Sequence, residues 1–119
     1  MSLIHWFEIP AANFDRAVAF YQQVFQLQLK LEFCLVSQEK IAVFPDSSGC
    51  IMASPRLPAA GQGCRIYLDG GPDLAATLER VKMAGGKVLQ AITTLEDGNG
   101  DIALLEDSEG NIIGLHLEP

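Results

Sequence analysis

Ile41–Met52 reads IAVFPDSSGCIM, and Ile102–Ile113 reads IALLEDSEGNII. The offset is 61 residues in a chain of 119. Six of the twelve positions are identical: Ile41/Ile102, Ala42/Ala103, Asp46/Asp107, Ser47/Ser108, Gly49/Gly110 and Ile51/Ile112. Three more exchange one apolar residue for another: Val43/Leu104, Phe44/Leu105 and Met52/Ile113. Matching of this density at half the chain length marks two copies of one structural unit. Each copy reads as an apolar run, a polar DS-x-G turn and a second apolar run, hence strand, turn, strand. The Gly is expected to supply positive φ at the turn, and the Asp to bond the backbone two residues on.

Working outward, Leu3–Ile9 alternates as a strand, with His5, Phe7 and Ile9 on one face and Ile4, Trp6 and Glu8 on the other. Pro10 ends it. Asn13 is a helix N-cap, with Asp15 at the positive end of the helix dipole. Phe14, Val18, Tyr21 and Phe25 form the helix stripe, widened by Ala17 and Val24. Leu27, Leu29, Leu31 and Phe33 alternate with polar residues and Cys34 as a half-buried strand. A turn over 37–40 and strands near 41–44 and 50–54 complete the unit. The Pro/Gly-rich stretch 55–63, PRLPAAGQG, reads as a linker. The second unit repeats the order. Cys64–Leu68 is a strand, and Pro72 stands at the first turn of a helix with Leu74, Leu78 and Val81 on one stripe. Gly85 and Gly86 stop that helix. Strands over 87–94, 101–105 and 111–117 follow. The chain is therefore read as α+β, one domain of two tandem βαβββ modules (1–54 and 64–119). They pack around a concave mixed β-sheet cavity with the helices outside.

The chain carries 15 acidic and 8 basic residues, net −7. Nucleic-acid and anionic-membrane surfaces need clustered Lys and Arg, so neither is an expected partner. Cys34, Cys50 and Cys64 are odd in number with no C-x-x-C spacing, and read as reduced thiols of a cytoplasmic protein. The N-terminus lacks the basic and apolar regions of a signal peptide, and no apolar run approaches a membrane span.

A tandem βαβββ of this length resembles the vicinal oxygen chelate superfamily, which includes glyoxalase I, bleomycin- and fosfomycin-resistance proteins and extradiol dioxygenases. FEIPAANFDRAVAFYQQVF and IALLEDSEGNIIGLHLEP carry the resemblance, which spans essentially the whole chain. It implies the fold and a homodimer. It leaves the chemistry open, since the family holds lyases, isomerases, transferases, dioxygenases and non-catalytic binders. The family's metal enzymes place His, Gln or Glu ligands on the first and last strand of each unit. The resemblance puts those positions at Trp6, fifteen residues before Tyr21, at Ile66, and after the D-x-x-G turns at Ala53 and Gly114. None of these four side chains binds a divalent cation.

No cofactor is therefore expected at the family positions. A divalent metal (zinc, nickel, manganese or iron) stays open only through non-standard residues. Ligand-binding candidates are Trp6, as an aromatic wall, with Glu8, Gly114 and His116. Glu8 shares the face of Trp6, and His116 that of Ile112 and Gly114. A carboxylate and an imidazole in an apolar cleft are also the acid/base candidates. The bland alternatives are a core-filling Trp6, a solvated Glu8 and a frayed His116, with Gly114 making room for the Trp6 indole. Tyr67 and Arg65 are expected on the helix side or against a partner. The leading expectation is a small-molecule-binding module. The alternative is a lyase or isomerase of this superfamily using Glu8 and His116, with or without a metal.

Overall fold

The computed structural model describes residues 3–33, 39–53, 62–96 and 98–119. Cys34, the expected turn up to residue 38 and most of the expected linker lie outside the described residues. The elements are β1 (Phe7–Pro10), α1 (Phe14–Phe25), β2 (Lys30–Phe33), β3 (Lys40–Val43), β4 (Gly49–Met52), β5 (Tyr67–Asp69), α2 (Leu74–Met83), β6 (Lys87–Thr94), β7 (Asp101–Glu106) and β8 (Ile112–Leu117). They form two four-stranded mixed sheets of the same order, β1-β4-β3-β2 and β5-β8-β7-β6. In each, the first and last strands of the unit are parallel and the others antiparallel. This is the expected duplicated α+β architecture.

Local chemistry fixes the helices. The Asn13 side chain accepts from Arg16 N at 3.0 Å, and Asp73 from Ala76 N at 3.1 Å. Asp73, not Pro72, thus starts α2, and Pro72 stands just before its cap. Gln26 ends α1 in the left-handed conformation, φ 53°. Its neighbour Gln22 reaches past the cap to accept from Leu29 N.

One apolar core spans both units. It joins Ala17, Phe20, Tyr21 and Val24 of α1 and Leu74, Leu78 and Val81 of α2 to the helix-side faces of both sheets. Phe20 was missed in the helix stripe because one amphipathic face was expected. The helix is covered by its own sheet and also by the second unit, whose Gly86 lies against the Phe20 ring. Ile41, Val43, Cys50 and Met52, alternating with the core residues of β3 and β4, make a separate buried cluster on the opposite face. The half-buried strand expected over 27–34 is shorter than its pattern: Leu29 is buried, but Leu31 and Phe33 are 67% and 65% exposed on the edge strand β2. The first strand is likewise shorter, beginning at Phe7.

The repeated stretch does not keep a single register. Ala42 faces Ile51, whereas Ala103 faces Leu115. Since Ala42 and Ala103 are equivalent, Ile51 corresponds to Leu115, an offset of 115 − 51 = 64 where the sequence match gives 61. The second hairpin is three residues longer. The two turn glycines also differ. Gly110 takes positive φ (89°), but in the first copy Ser47 does so (60°). Gly49 is instead needed for space: a Cβ there would lie 2.5 Å from the Phe7 carbonyl oxygen and 2.6 Å from its ring.

Candidate functional site

This register moves two of the four expected family positions. Glu8 faces Cys50 in the first sheet, and Tyr67 faces Gly114 in the second. Glu8 and Tyr67 are therefore equivalent, and so, two residues earlier, are Trp6 and Arg65. Ile66 and Leu68 pack on the helix-side core, which corrects the expected placement of Ile66 and of Arg65 and Tyr67. The counterpart of Gly114 is Cys50, not Ala53, which lies past the end of β4. The error came from carrying a uniform offset through a turn of changed length.

Gly114 stands on the face opposite the core residues Ile113 and Leu115 and makes room for Tyr67, not for the indole: a Cβ there would run into the Tyr67 ring. Trp6 is 43% exposed, and its Nε1 donates to Glu8 Oε2 at 3.4 Å. His116 Nε2 donates to the Asn99 carbonyl at 2.6 Å, in the loop between β6 and β7. The structure thus joins Trp6 to Glu8 but does not bring Glu8 and His116 into one site.

A cleft of about 420 Å³ lies between β1 and residues 62–66 and reaches the start of β8. Ile9, Ile66, Ile112 and Ile113 contribute apolar walls, and Glu8, Arg65 and Asn111 polar groups. Glu8 alone of the four ligand-binding candidates lines it. Among the described residues, no three His, Cys, Asp or Glu side chains come together as a metal-holding group. The donor set of the superfamily's metal enzymes is not present at the equivalent positions, where Trp6, Arg65, Cys50 and Gly114 stand. Of these four only Cys50 carries a metal-ligating side chain, and a single thiol does not make a divalent site.

Two residues of the cleft lining, Pro10 and Asn111, belong to a polar network. Asp107 is buried: its Oδ1 accepts from the backbone of Glu109 and Asn111, both at 2.8 Å, and its Oδ2 from Asn111 Nδ2 and from the Tyr21 hydroxyl at 2.6 Å. Asn111 Nδ2 also donates to Pro10 O at 2.7 Å. Glu109, with no exposed side-chain surface, accepts from Asn13 N at 2.7 Å and from Arg16 through Nε at 2.6 Å and Nη2 at 3.2 Å. The second unit's turn is thereby latched to the start of α1. Burial pushes the Tyr21 phenol well above its ordinary range, and the Asp107 carboxylate adds to it. Burial also pushes the Glu109 carboxyl upward. The Arg16 guanidinium, the Asn13 N–H and the Ser108 hydroxyl outweigh that and hold it below its usual value. Reading Asp107 as only a turn former missed this role. The signal available was the run Glu109-Gly110-Asn111, two polar residues absent from the first copy.

The sign of the Glu109 shift sets a pH dependence. A carboxyl lowered on folding contributes stability that is present above its unfolded value and is lost as pH falls through its folded value. Urea unfolding at pH 7 and pH 3 should therefore show an acid loss. Glu109→Gln should reduce that loss and should cost about 2–3 kcal/mol at pH 7, the scale for hydrogen bonds to a charged group. An unchanged acid slope in the variant would remove Glu109 from the account.

No helix among the described residues is long and apolar enough to cross a membrane. A "Glyoxylase-like domain-containing protein" of Didymella fabae is 28% identical over 120 residues, covering 94% of this chain and 91% of its own. Among solved structures, TnmS3, an antibiotic binding protein from Streptomyces sp. CB03234, matches with TM-score 0.69 and 19% identity over 100% of this chain and 98% of its own. The fosfomycin resistance protein FosX from Listeria monocytogenes matches with TM-score 0.65 and 19% identity, covering 98% and 93%. These two likenesses are of fold. Residues 3–115 match the family model of the Glyoxalase/Bleomycin resistance protein/Dioxygenase superfamily, and the chain belongs to that superfamily.

Proposed function

We propose that the chain is a small-molecule-binding module whose ligand occupies the cleft between β1 and residues 62–66 without a divalent metal. The cleft itself carries the reading. Its volume of about 420 Å³ falls within the range of small-molecule sites. Its walls are apolar, and it offers one carboxylate, Glu8, and one guanidinium, Arg65. A ligand with an apolar body and both an anionic and a donor group satisfies the two charges. Trp6, bonded to Glu8, supplies an exposed aromatic face next to that carboxylate. The likeness to a protein described as antibiotic binding supports the same reading. The partner proposed besides the ligand is a second copy of the chain. The lyase or isomerase alternative relied on Glu8 and His116 acting together, and the bond of His116 to Asn99 leaves it without a specific observation.

The test is thermal unfolding of chelator-treated protein against a panel of planar aromatic acids and amino acids. A ligand at a hundredfold excess over its Kd stabilises the native state by about 2.7 kcal/mol. For a chain of this size that raises the Tm by roughly 10 °C. Glu8→Gln and Arg65→Met should each reduce the shift for a ligand carrying the complementary charge. If no panel member shifts the Tm while a divalent ion alone does, the proposal is wrong.

A further inference from the structure

The two units are equivalent, yet their turns meet the opposite unit differently. The Asp107–Asn111 turn is latched to the start of α1 through Pro10, Asn13 and Arg16. The matching place in the other half lies where the first unit's turn approaches the end of β5. That turn is three residues shorter in register terms, and Ser48 and Cys50 stand where Glu109 and Asn111 stand in the sequence match. A second cavity of about 270 Å³ lies there, walled by Phe7, Phe25, Phe44 and Leu68, with Asp46 and Asp69 among its lining. It is separate from the cleft of the proposed function and shares only Phe7 with it.

The chemistry of this second cavity is one-sided. Its walls are aromatic and aliphatic, and both charged groups in its described lining are carboxylates. Asp46 Oδ1 is engaged by the Ser48 backbone and hydroxyl, and Asp69 Oδ1 by Gly71 N. A carboxylate accepts more hydrogen bonds than these, so both retain capacity for a donor from the cavity. Aromatic faces add to the preference for a cation.

We propose that this second cavity binds a small protonated amine with an aryl body, the ring against Phe7, Phe25 and Phe44 and the ammonium toward Asp46 and Asp69. The probe is phenethylammonium, compared by calorimetry with phenethyl alcohol and phenylacetate, which keep the ring and change only the charge. One phenethylammonium is expected per chain, bound about tenfold or more tighter than the neutral alcohol, a difference of about 1.4 kcal/mol. Phenylacetate should bind more weakly than either. The double variant Asp46→Asn, Asp69→Asn keeps the turn acceptors and should abolish the preference for the amine while leaving the alcohol unchanged. Glu8→Gln, in the other cleft, should leave amine binding unchanged. Equal binding of amine and alcohol, survival of the preference in the double variant, loss of binding in Glu8→Gln, or no binding by the wild type would each overturn the proposal.

Discussion

Asp107→Ala should destabilise the fold by about 3–5 kcal/mol, the range for breaking a buried, hydrogen-bonded charged group. Four donors converge on this one carboxylate: the backbones of Glu109 and Asn111, the Asn111 amide and the Tyr21 hydroxyl. The substitution leaves the buried Tyr21 hydroxyl without its partner, and each orphaned buried polar group costs about 1–3 kcal/mol. Denaturant unfolding measures the loss. The same change at the duplicated position, Asp46→Ala, should cost less than about 1 kcal/mol, since its bonds to Ser48 are at the exposed surface. Comparable losses at the two positions would mean that the network is not what joins the second turn to α1.

The turn glycines give the other large expected effect. Gly49→Asn should cost about 3 kcal/mol, the upper range for overpacking a tight site, because its Cβ would meet the Phe7 backbone and ring. Gly110→Asn should cost less, because that position needs positive φ, 89°, which Asn tolerates better than other side-chain-bearing residues. Chemical denaturation of the two variants side by side decides it. Were Gly110→Asn the more damaging, the separate roles assigned to these glycines would be wrong.

The fold was legible because its signals are local and duplicated. The Asn13 cap, the apolar stripes and the DS-x-G hairpins each name an element without reference to the other half. The site was less legible because it depends on register. Two copies with 61-residue spacing in sequence pair their last strands with 64-residue spacing in space, and a shift of odd length turns every side chain to the other face. Ala53 was misplaced for this reason; Ile66 follows from the helix match, offset 74 − 14 = 60, whereas the strand pairing gives 67 − 8 = 59. Gly114 alternates with the core residues Ile113 and Leu115, and its neighbour is Tyr67. Arg65 could not be assigned to the cleft from alternation alone, since the same pattern fits either face. Asp107 and Glu109 read as ordinary turn residues because their partners, Tyr21 and Arg16, lie far away in the sequence.

The central claim is that this superfamily fold binds its ligand without a divalent metal. Elemental analysis of the protein, purified without an affinity tag and without chelator, tests it directly. The residues equivalent to the family's ligands, Trp6, Arg65, Cys50 and Gly114, predict zinc, nickel, manganese and iron contents far below one ion per chain. Any one of these metals at one ion per chain would contradict the account.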